Sequence, residues 1–321
     1  MAREILNLPL PPLTQLKDYT IIKKISNGGF SFVYVAVNNI TNETVAIKEF
    51  MPNSMKIRVD GKEVNVTDSK DKNKFDIGLK NFFQEMSVVA HIKHNNIIDV
   101  LDYFEANGTA YIVMPYEYGY PLSHYIGLLI KEKKQILEED LIKISLGILE
   151  AIKEMHDNNI LHLDIKPSNI WLRQNKEILI IDFGTSLEKT QVRVNQFFHS
   201  PGFAAPEQYK KYNLPLKIGY WTDYYGIGAT IYNIITQRVP EDSTKLLNDK
   251  RKLDIFQMEN GFHHYKILEI VNQLCQLDVE ARKKVNIEKV IQEVKNIVPF
   301  NYVEKTIDSI ITNRDSYELI I

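Results

Sequence analysis

Apolar positions follow two different periods along this chain, and the change between them divides it. Over the first third they come in short runs rich in β-branched and aromatic residues, at 19–25, 32–37 and 44–50. The turn formers Asn27-Gly28-Gly29 and Asn38-Asn39 separate these runs, which predicts three short strands in an antiparallel sheet. A polar stretch over 51–74 follows, with Asp60-Gly61 set between Lys56-Ile57-Arg58-Val59 and Glu63-Val64, the pattern of a small hairpin in a surface insertion. Apolar residues at 79, 82, 83, 86, 89 and 90 then have helical spacing and predict a helix over 77–92. Runs at 100–105 and 109–114, joined by Asn107-Gly108, predict a further hairpin.

Beyond Pro121 the pattern becomes helical. Positions 137, 141, 144, 148, 152 and 155 form one long stripe, so the helix over 137–156 must face a core. The segment 221–236 is almost wholly apolar or small and reads as a buried helix, while 265–277 and 287–297 are amphipathic. Residues 298–321 carry no assignable period. A β-rich first third with one main helix, followed by a helical remainder, predicts an α+β protein of two lobes. The expected divisions are an N-terminal arm over 1–16, a first lobe over 17–114, a connection over 115–119, a helical lobe over 120–295 and a tail over 296–321.

Composition alters this picture little. The 321 residues are 44% hydrophobic and 25% charged with a net charge of −2, an ordinary globular composition with no basic stripe to suggest nucleic acid. One cysteine, Cys275, excludes an intrachain disulfide and suits a reducing compartment; it reads as a small buried hydrophobe. The first residues lack the basic start and unbroken apolar run of a secretory signal, and no stretch approaches the roughly 20 apolar residues of a membrane span. The expectation is a cytoplasmic protein. His91, His94, His263 and His264 have no cysteine or acidic cluster to complete a metal set and read as surface or core residues.

The chemistry-bearing residues fall in a fixed order. Ile25-Ser26-Asn27-Gly28-Gly29-Phe30-Ser31-Phe32-Val33 is a glycine-bearing turn between two predicted strands; Val45-Ala46-Ile47-Lys48 lies on the third strand, and Glu85 on the helix after it. Met114-Pro115-Tyr116-Glu117 stands at the lobe connection. His162-Leu163-Asp164-Ile165-Lys166-Pro167-Ser168-Asn169 comes next, with Ile181-Asp182-Phe183-Gly184 placing Asp182 thirteen residues after Asn169. Ser200-Pro201-Gly202-Phe203-Ala204-Ala205-Pro206-Glu207 closes the series.

This order resembles the eukaryotic-type (Hanks-type) serine/threonine protein kinases over roughly residues 19–294. Val45 to Pro52, the Arg58-containing insert, Asn107 to Met114 and Ala204 to Tyr209 are similar to bacterial members. The resemblance implies a protein-kinase-like fold, ATP and Mg²⁺ as cofactors, and a protein substrate bearing serine or threonine; Lys166-Pro167 after Asp164 favours those hydroxyls over tyrosine. It implies that Asp164 accepts the substrate hydroxyl's proton, that Lys166 neutralises charge on the transferred group, and that Asn169 and Asp182 hold the metal. Lys48, paired with Glu85, would reach the α- and β-phosphates. The implied nucleotide contacts are Ile25, Gly28, Val33, Ala46, Lys48, the gatekeeper Met114, Pro115, Glu117 and Trp171. Proline at 115 supplies a carbonyl but no N–H, which leaves the Glu117 N–H as donor. Trp171 falls where a smaller aliphatic floor residue is common, and plain core packing accounts for it equally.

Two departures matter. Serines 26 and 31 stand in place of the outer two glycines of the phosphate loop, and Leu163 replaces the arginine that normally pairs with a phosphorylated loop. Glu207 is expected to form a buried ion pair with Arg282, and Asp223 to tie its helix to the catalytic loop backbone. Thr185, Ser186, Thr190 and Ser200 are the loop hydroxyls available for phosphorylation, Ser200 also sitting where a threonine often bonds the catalytic aspartate. The rival readings are a pseudokinase scaffold, against which all six key polar residues count, and a small-molecule phosphotransferase, against which the Asp-Phe-Gly and Ala-Pro-Glu segments count.

Overall fold

The structure, a computed structural model, describes residues 7–27, 29, 31–52, 55, 58, 61–66, 68–183, 186–188, 200–209, 218–253 and 265–298, the side chains of 27, 84–88, 187 and 188 excepted. The chain divides into two compact units. Among the described residues, one holds 7–91 and 98–119, and the other holds 92–97 and 120–298.

In the first unit a six-stranded sheet runs in the order β1-β2-β3-β4-β6-β5, every neighbour antiparallel. Its strands are β1 (Gln15–Leu16), β2 (Tyr19–Asn27), β3 (Ser31–Asn38), β4 (Thr44–Phe50), β5 (Asp102–Ala106) and β6 (Thr109–Pro115). The alternation of side chains along β4 sorts its faces: Val45, Ile47 and Glu49 share one, Ala46, Lys48 and Phe50 the other. Helix α1 (Ser69–Val89) starts eight residues before the predicted helix, which begins at 77. Its first two turns, Ser69 to Asp76, are polar except for Phe75, so no apolar stripe marks them. Asp68 starts the helix by accepting from the Lys70 N–H at 2.7 Å, and Lys72 pairs with Asp76 one turn on. Phe75 and Phe82 both pack on Phe50 of β4, with ring centroids 5.3 and 5.5 Å apart.

The small hairpin expected in the insert falls largely on residues outside those described. Lys56, Ile57, Val59 and Asp60 lie outside the described residues, and 61–66 form no strand. Arg58, the described residue of its first arm, belongs to a buried polar network. The Arg58 guanidinium clasps the Glu49 carboxylate with two bonds of 2.9 and 2.5 Å, both side chains being 0% exposed. The hydroxyls of Tyr34 and Tyr111 donate to the same carboxylate, each at 2.7 Å. Arg58 also donates to the carbonyls of Lys62 and Leu8. Burial pulls the guanidinium pKa down, but the bonds and charge of Glu49 more than reverse this and raise it. Asn7 closes the network, giving its carboxamide hydrogens to Pro52 and Met55 and accepting from the Arg58 N–H. Residues 7–16 are thus packed on the sheet, with Leu10 and Leu16 buried.

The second unit is helical around two small strand pairings. Strand β7 (Gly119–Pro121) joins a three-stranded sheet with β9 (Ile170–Arg173) and β10 (Ile178–Ile180); β8 (Ile160–Leu161) pairs with β11 (Leu187–Glu188). Ile97 bridges Ile180 in parallel, and Asn96 bonds the backbone at Ile178 and Ile180, which fastens Ile92–Ile97 to this unit. The helices are α2 (Leu122–Glu132), α3 (Glu138–Asp157), α4 (Tyr220–Thr236), α5 (Ser243–Asn248), α6 (Tyr265–Leu274), α7 (Val279–Arg282) and α8 (Ile287–Lys295). The long stripe of α3 is buried through Leu141, Ile144, Ile148, Ile152 and Met155, and α4 is buried nearly all round. Helices α2, α5 and α7 have no counterpart among the predicted elements, the last two being too short to show a period. Among the described residues no helix is long and apolar enough to cross a membrane.

Candidate active site

The segment from His162 to Asn169 leaves β8, turns through a short 3-10 helix at Pro167–Asn169 and enters β9. Helix α4 supports it from beneath. Asp223, fully buried near the start of α4, accepts from the His162 N–H at 3.0 Å and the Leu163 N–H at 2.7 Å, as expected. His156 at the end of α3 places its Nε2 2.8 Å from the same carboxylate, with its ring stacked on Tyr220. Gly226, one turn along α4, allows close approach: a Cβ there would lie 3.1 Å from Ile165 Cβ and 3.2 Å from its carbonyl oxygen.

On that base Asp164, Lys166, Asn169 and Ser200 form one polar cluster. Lys166 Nζ donates to Asp164 Oδ2 at 2.7 Å and to Ser200 Oγ at 2.8 Å, while Ser200 Oγ donates to Asp164 Oδ1 at 2.7 Å. Asn169 Nδ2 donates to the Asp164 carbonyl at 2.9 Å and to its Oδ2 at 3.0 Å. Both carboxylate oxygens are therefore oriented by donors, in a half-buried position. The Asn169 carbonyl accepts from the Ile181 N–H at 3.1 Å, which links the backbone of this loop to the residue before Asp182. His162 is buried, and desolvation, opposed by the charges of Asp223, Asp164 and Asp182, lowers its pKa. Its Nδ1 faces the Asp164 N–H at 3.3 Å, a contact only a bare nitrogen can accept, which agrees with a neutral ring. The ring also lies 5.8 Å from that of Phe183.

The donor set suits a hard divalent cation. Asn169 spends its N–H₂ on Asp164 and keeps Oδ1 turned elsewhere, with one long 3.3 Å contact from Ser168. Asp182 supplies a half-buried carboxylate. Among the described residues no group of three or more His, Cys, Asp or Glu is assembled, so such an ion would complete its shell with water and phosphate oxygens.

The sheet of the first unit carries the other predicted contacts. Ile25, Val33 and Val35 form a buried cluster with Tyr116 against it. Ala46 is paired with Met114 and Val33 with Lys48 across adjacent strands. Lys48 is half-buried, its ammonium 6.0 Å from the centre of the Phe82 ring. Pro115 ends β6, and Glu117 follows in the connection. Gly28 and the Glu85 side chain lie outside the described residues. Trp171 is fully buried in β9 opposite Leu179, and its indole N–H has no hydrogen-bond partner among the described residues.

At the end of the site, Glu207 and Arg282 make the expected buried pair at 2.5 Å, with Thr222 Oγ1 donating to the second carboxylate oxygen at 3.0 Å. Of the loop hydroxyls, Thr185 and Thr190 lie outside the described residues, Ser186 is buried, and Ser200 is engaged by Asp164 and Lys166. Sequence reasoning misses Glu49, His156 and Gln208. Glu49 carries a readable signal, because it shares a strand face with Val45 and Ile47 and an inward carboxylate demands a partner.

Fold and site together define the class of two-lobed protein-kinase folds. A solved structure, PpkA-294 in its apo form, matches with a TM-score of 0.77 and 26% identity, covering 89% of this chain and 99% of that one. Residues 19–294 match the family described as protein kinase domain, and the chain belongs to that family. Its relatives include the serine/threonine-protein kinase PrkC of Bacillus subtilis, 30% identical over 231 residues, 70% of this chain and 31% of that protein. The human serine/threonine-protein kinase Nek10 is 24% identical over 321 residues, 98% of this chain and 26% of that protein. The chain thus spans about a quarter to a third of the length of the curated relatives it matches.

Proposed function

We propose that this chain is an ATP- and Mg²⁺-dependent serine/threonine protein kinase that transfers the γ-phosphoryl group to a protein hydroxyl. The observation that carries this reading is the Asp164 cluster. Its carboxylate is held by Lys166, Asn169 and Ser200, at hydrogen-bond length in every case. A carboxylate so placed accepts the proton of a substrate serine or threonine as its oxygen attacks phosphorus in line. Lys166, already beside it, offsets the negative charge on the transferred group. Lys48 would bind the α- and β-phosphates, positioned by Glu85, with adenine under Ile25, Val33 and Ala46. Pro115 would serve it as acceptor and Glu117 as donor. Asn169 and Asp182 would hold Mg²⁺, which would supply positive charge to offset that of the phosphates. Relatives that carry the name serine/threonine-protein kinase, and Lys166-Pro167 after Asp164, support serine and threonine as the acceptors.

Labelled ATP and a generic acceptor protein test the assignment with wild type, Asp164→Ala and Lys48→Ala. The wild type should label itself or the acceptor and both variants should fail, with folding intact by circular dichroism. Equal background labelling in all three proteins, with nucleotide still bound, would assign the chain to the scaffold reading instead.

A further inference from the structure

Leu163, the residue before Asp164, has φ of 66°. This left-handed conformation is disfavoured for an ordinary L-residue, so the surroundings must hold it. The Leu163 peptide is gripped from both ends. Its N–H donates to Asp223 Oδ1 at 2.7 Å, and its carbonyl accepts from Gln208 Nε2 at 2.8 Å. Asp223 belongs to the buried floor, but Gln208 belongs to the segment that follows the loop. The other end of the same carboxamide, Oε1, accepts from the Ala205 N–H at 2.9 Å. Gln208 is 4% exposed, and both its polar ends are therefore spent on backbone. The Leu163 side chain meanwhile packs with Leu161 and Ile218, with Tyr220 against them, and presents no charge to the loop.

We propose that Gln208 is a positioning residue that couples the Ser200–Gln208 segment to Asp164 through the Leu163 carbonyl. Ser200 bonds Asp164 directly from the near end of that segment, and Gln208 bonds the preceding peptide from the far end. When the segment is in place, its two uncharged contacts add to those of Lys166 and Asn169 in setting the direction of the carboxylate. When it is displaced, the Leu163 carbonyl loses its donor, Asp223 alone holds the left-handed peptide through its N–H, and the direction of Asp164 is less closely fixed. The link requires no phosphate and no arginine at position 163. It rests on the reading of Asp164 as the base.

The test compares Gln208→Met, which fills the space without hydrogen bonds, with Gln208→Glu, which retains the acceptor for Ala205. A carboxylate at 208 cannot donate to Leu163, whereas a carboxylic acid can. Burial against a carbonyl raises the pKa of such a group towards the assay range. With purified full chain and a peptide acceptor, Gln208→Met should lower kcat about ten- to a hundredfold while KM for ATP changes less than about twofold. The kcat loss in Gln208→Glu, relative to wild type, should shrink as pH falls from about 8.5 to about 6 and the donor returns. A wild-type kcat in Gln208→Met overturns the proposal, as does a pH-independent loss in Gln208→Glu. If Gln208→Met does not fold, the pH profile of Gln208→Glu decides alone. Asp164→Asn in the same assay separates the two readings. Activity that survives there removes the base assignment, while an inactive Asp164→Asn beside an unaffected Gln208→Met removes only the coupling.

Discussion

Replacing Arg58 with methionine removes one half of an ion pair that is 0% exposed on both sides. The Glu49 carboxylate then retains the two tyrosine hydroxyls at 2.7 Å but loses both guanidinium bonds and the only cation bonded to it among the described residues. Stranding one member of a buried pair costs about 3–5 kcal/mol. At roughly 2–4 °C per kcal/mol, the thermal midpoint should fall by about 6–20 °C. The double variant Glu49→Gln, Arg58→Met keeps an uncharged acceptor for the tyrosines and should recover about 2 kcal/mol or more of that loss, the coupling a double-mutant cycle reads. Amide exchange adds a local reading. The Leu8 N–H donates to the Arg58 carbonyl and the Leu10 N–H to the Tyr34 hydroxyl, so both should exchange faster in the single variant. A midpoint shifted by less than about 2 °C, or a double variant no more stable than Arg58→Met, would show that the pair does not anchor the insert and arm.

The remaining predictions concern the second unit. Arg282→Ala leaves Glu207 buried with only the Thr222 hydroxyl among the described residues and should destabilise the protein by about 3–5 kcal/mol in urea titration; a shift below about 1 kcal/mol contradicts the pairing. Ser200→Ala should lower kcat about tenfold and Ser200→Thr should restore it, because threonine keeps the oxygen that bridges Lys166 and Asp164. Equal rates for alanine and threonine would exclude that role. His162, its pKa lowered by burial, must gain a proton on unfolding. The unfolded chain therefore binds more protons below about pH 6.5, and stability falls as pH drops through that range. His162→Phe should flatten the pH dependence of the thermal midpoint between about pH 7.5 and about pH 5.5, and an unchanged slope would refute the buried neutral imidazole.

The strands and long helices are legible in the sequence because their apolar periods are strong and their turns carry asparagine and glycine. Trp221 to Thr236 reads as buried from composition alone, and α4 is buried nearly all round. The start of α1 is not legible, since Ser69 to Lys74 is polar and depends on Asp68 and an exposed Lys72–Asp76 pair. The role of Arg58 is not legible, because it stands in a polar stretch yet is 0% exposed and bonded to a glutamate nine residues earlier. Charged residues in a polar stretch read as solvated until the face of β4 is worked out. The order of site residues is legible because each polar type recurs at a spacing its chemistry needs. Gln208 is not, because a neutral carboxamide after Ala-Pro-Glu has no chemistry of its own until the Leu163 carbonyl is seen beside it.

Phosphoamino-acid analysis of the wild-type chain after incubation with γ-labelled ATP and Mg²⁺ tests the central claim most directly. The account predicts label in phosphoserine or phosphothreonine and none when Asp164 is replaced by asparagine. Label in phosphotyrosine alone, or no acid-stable label from a folded protein that binds ATP, would contradict it.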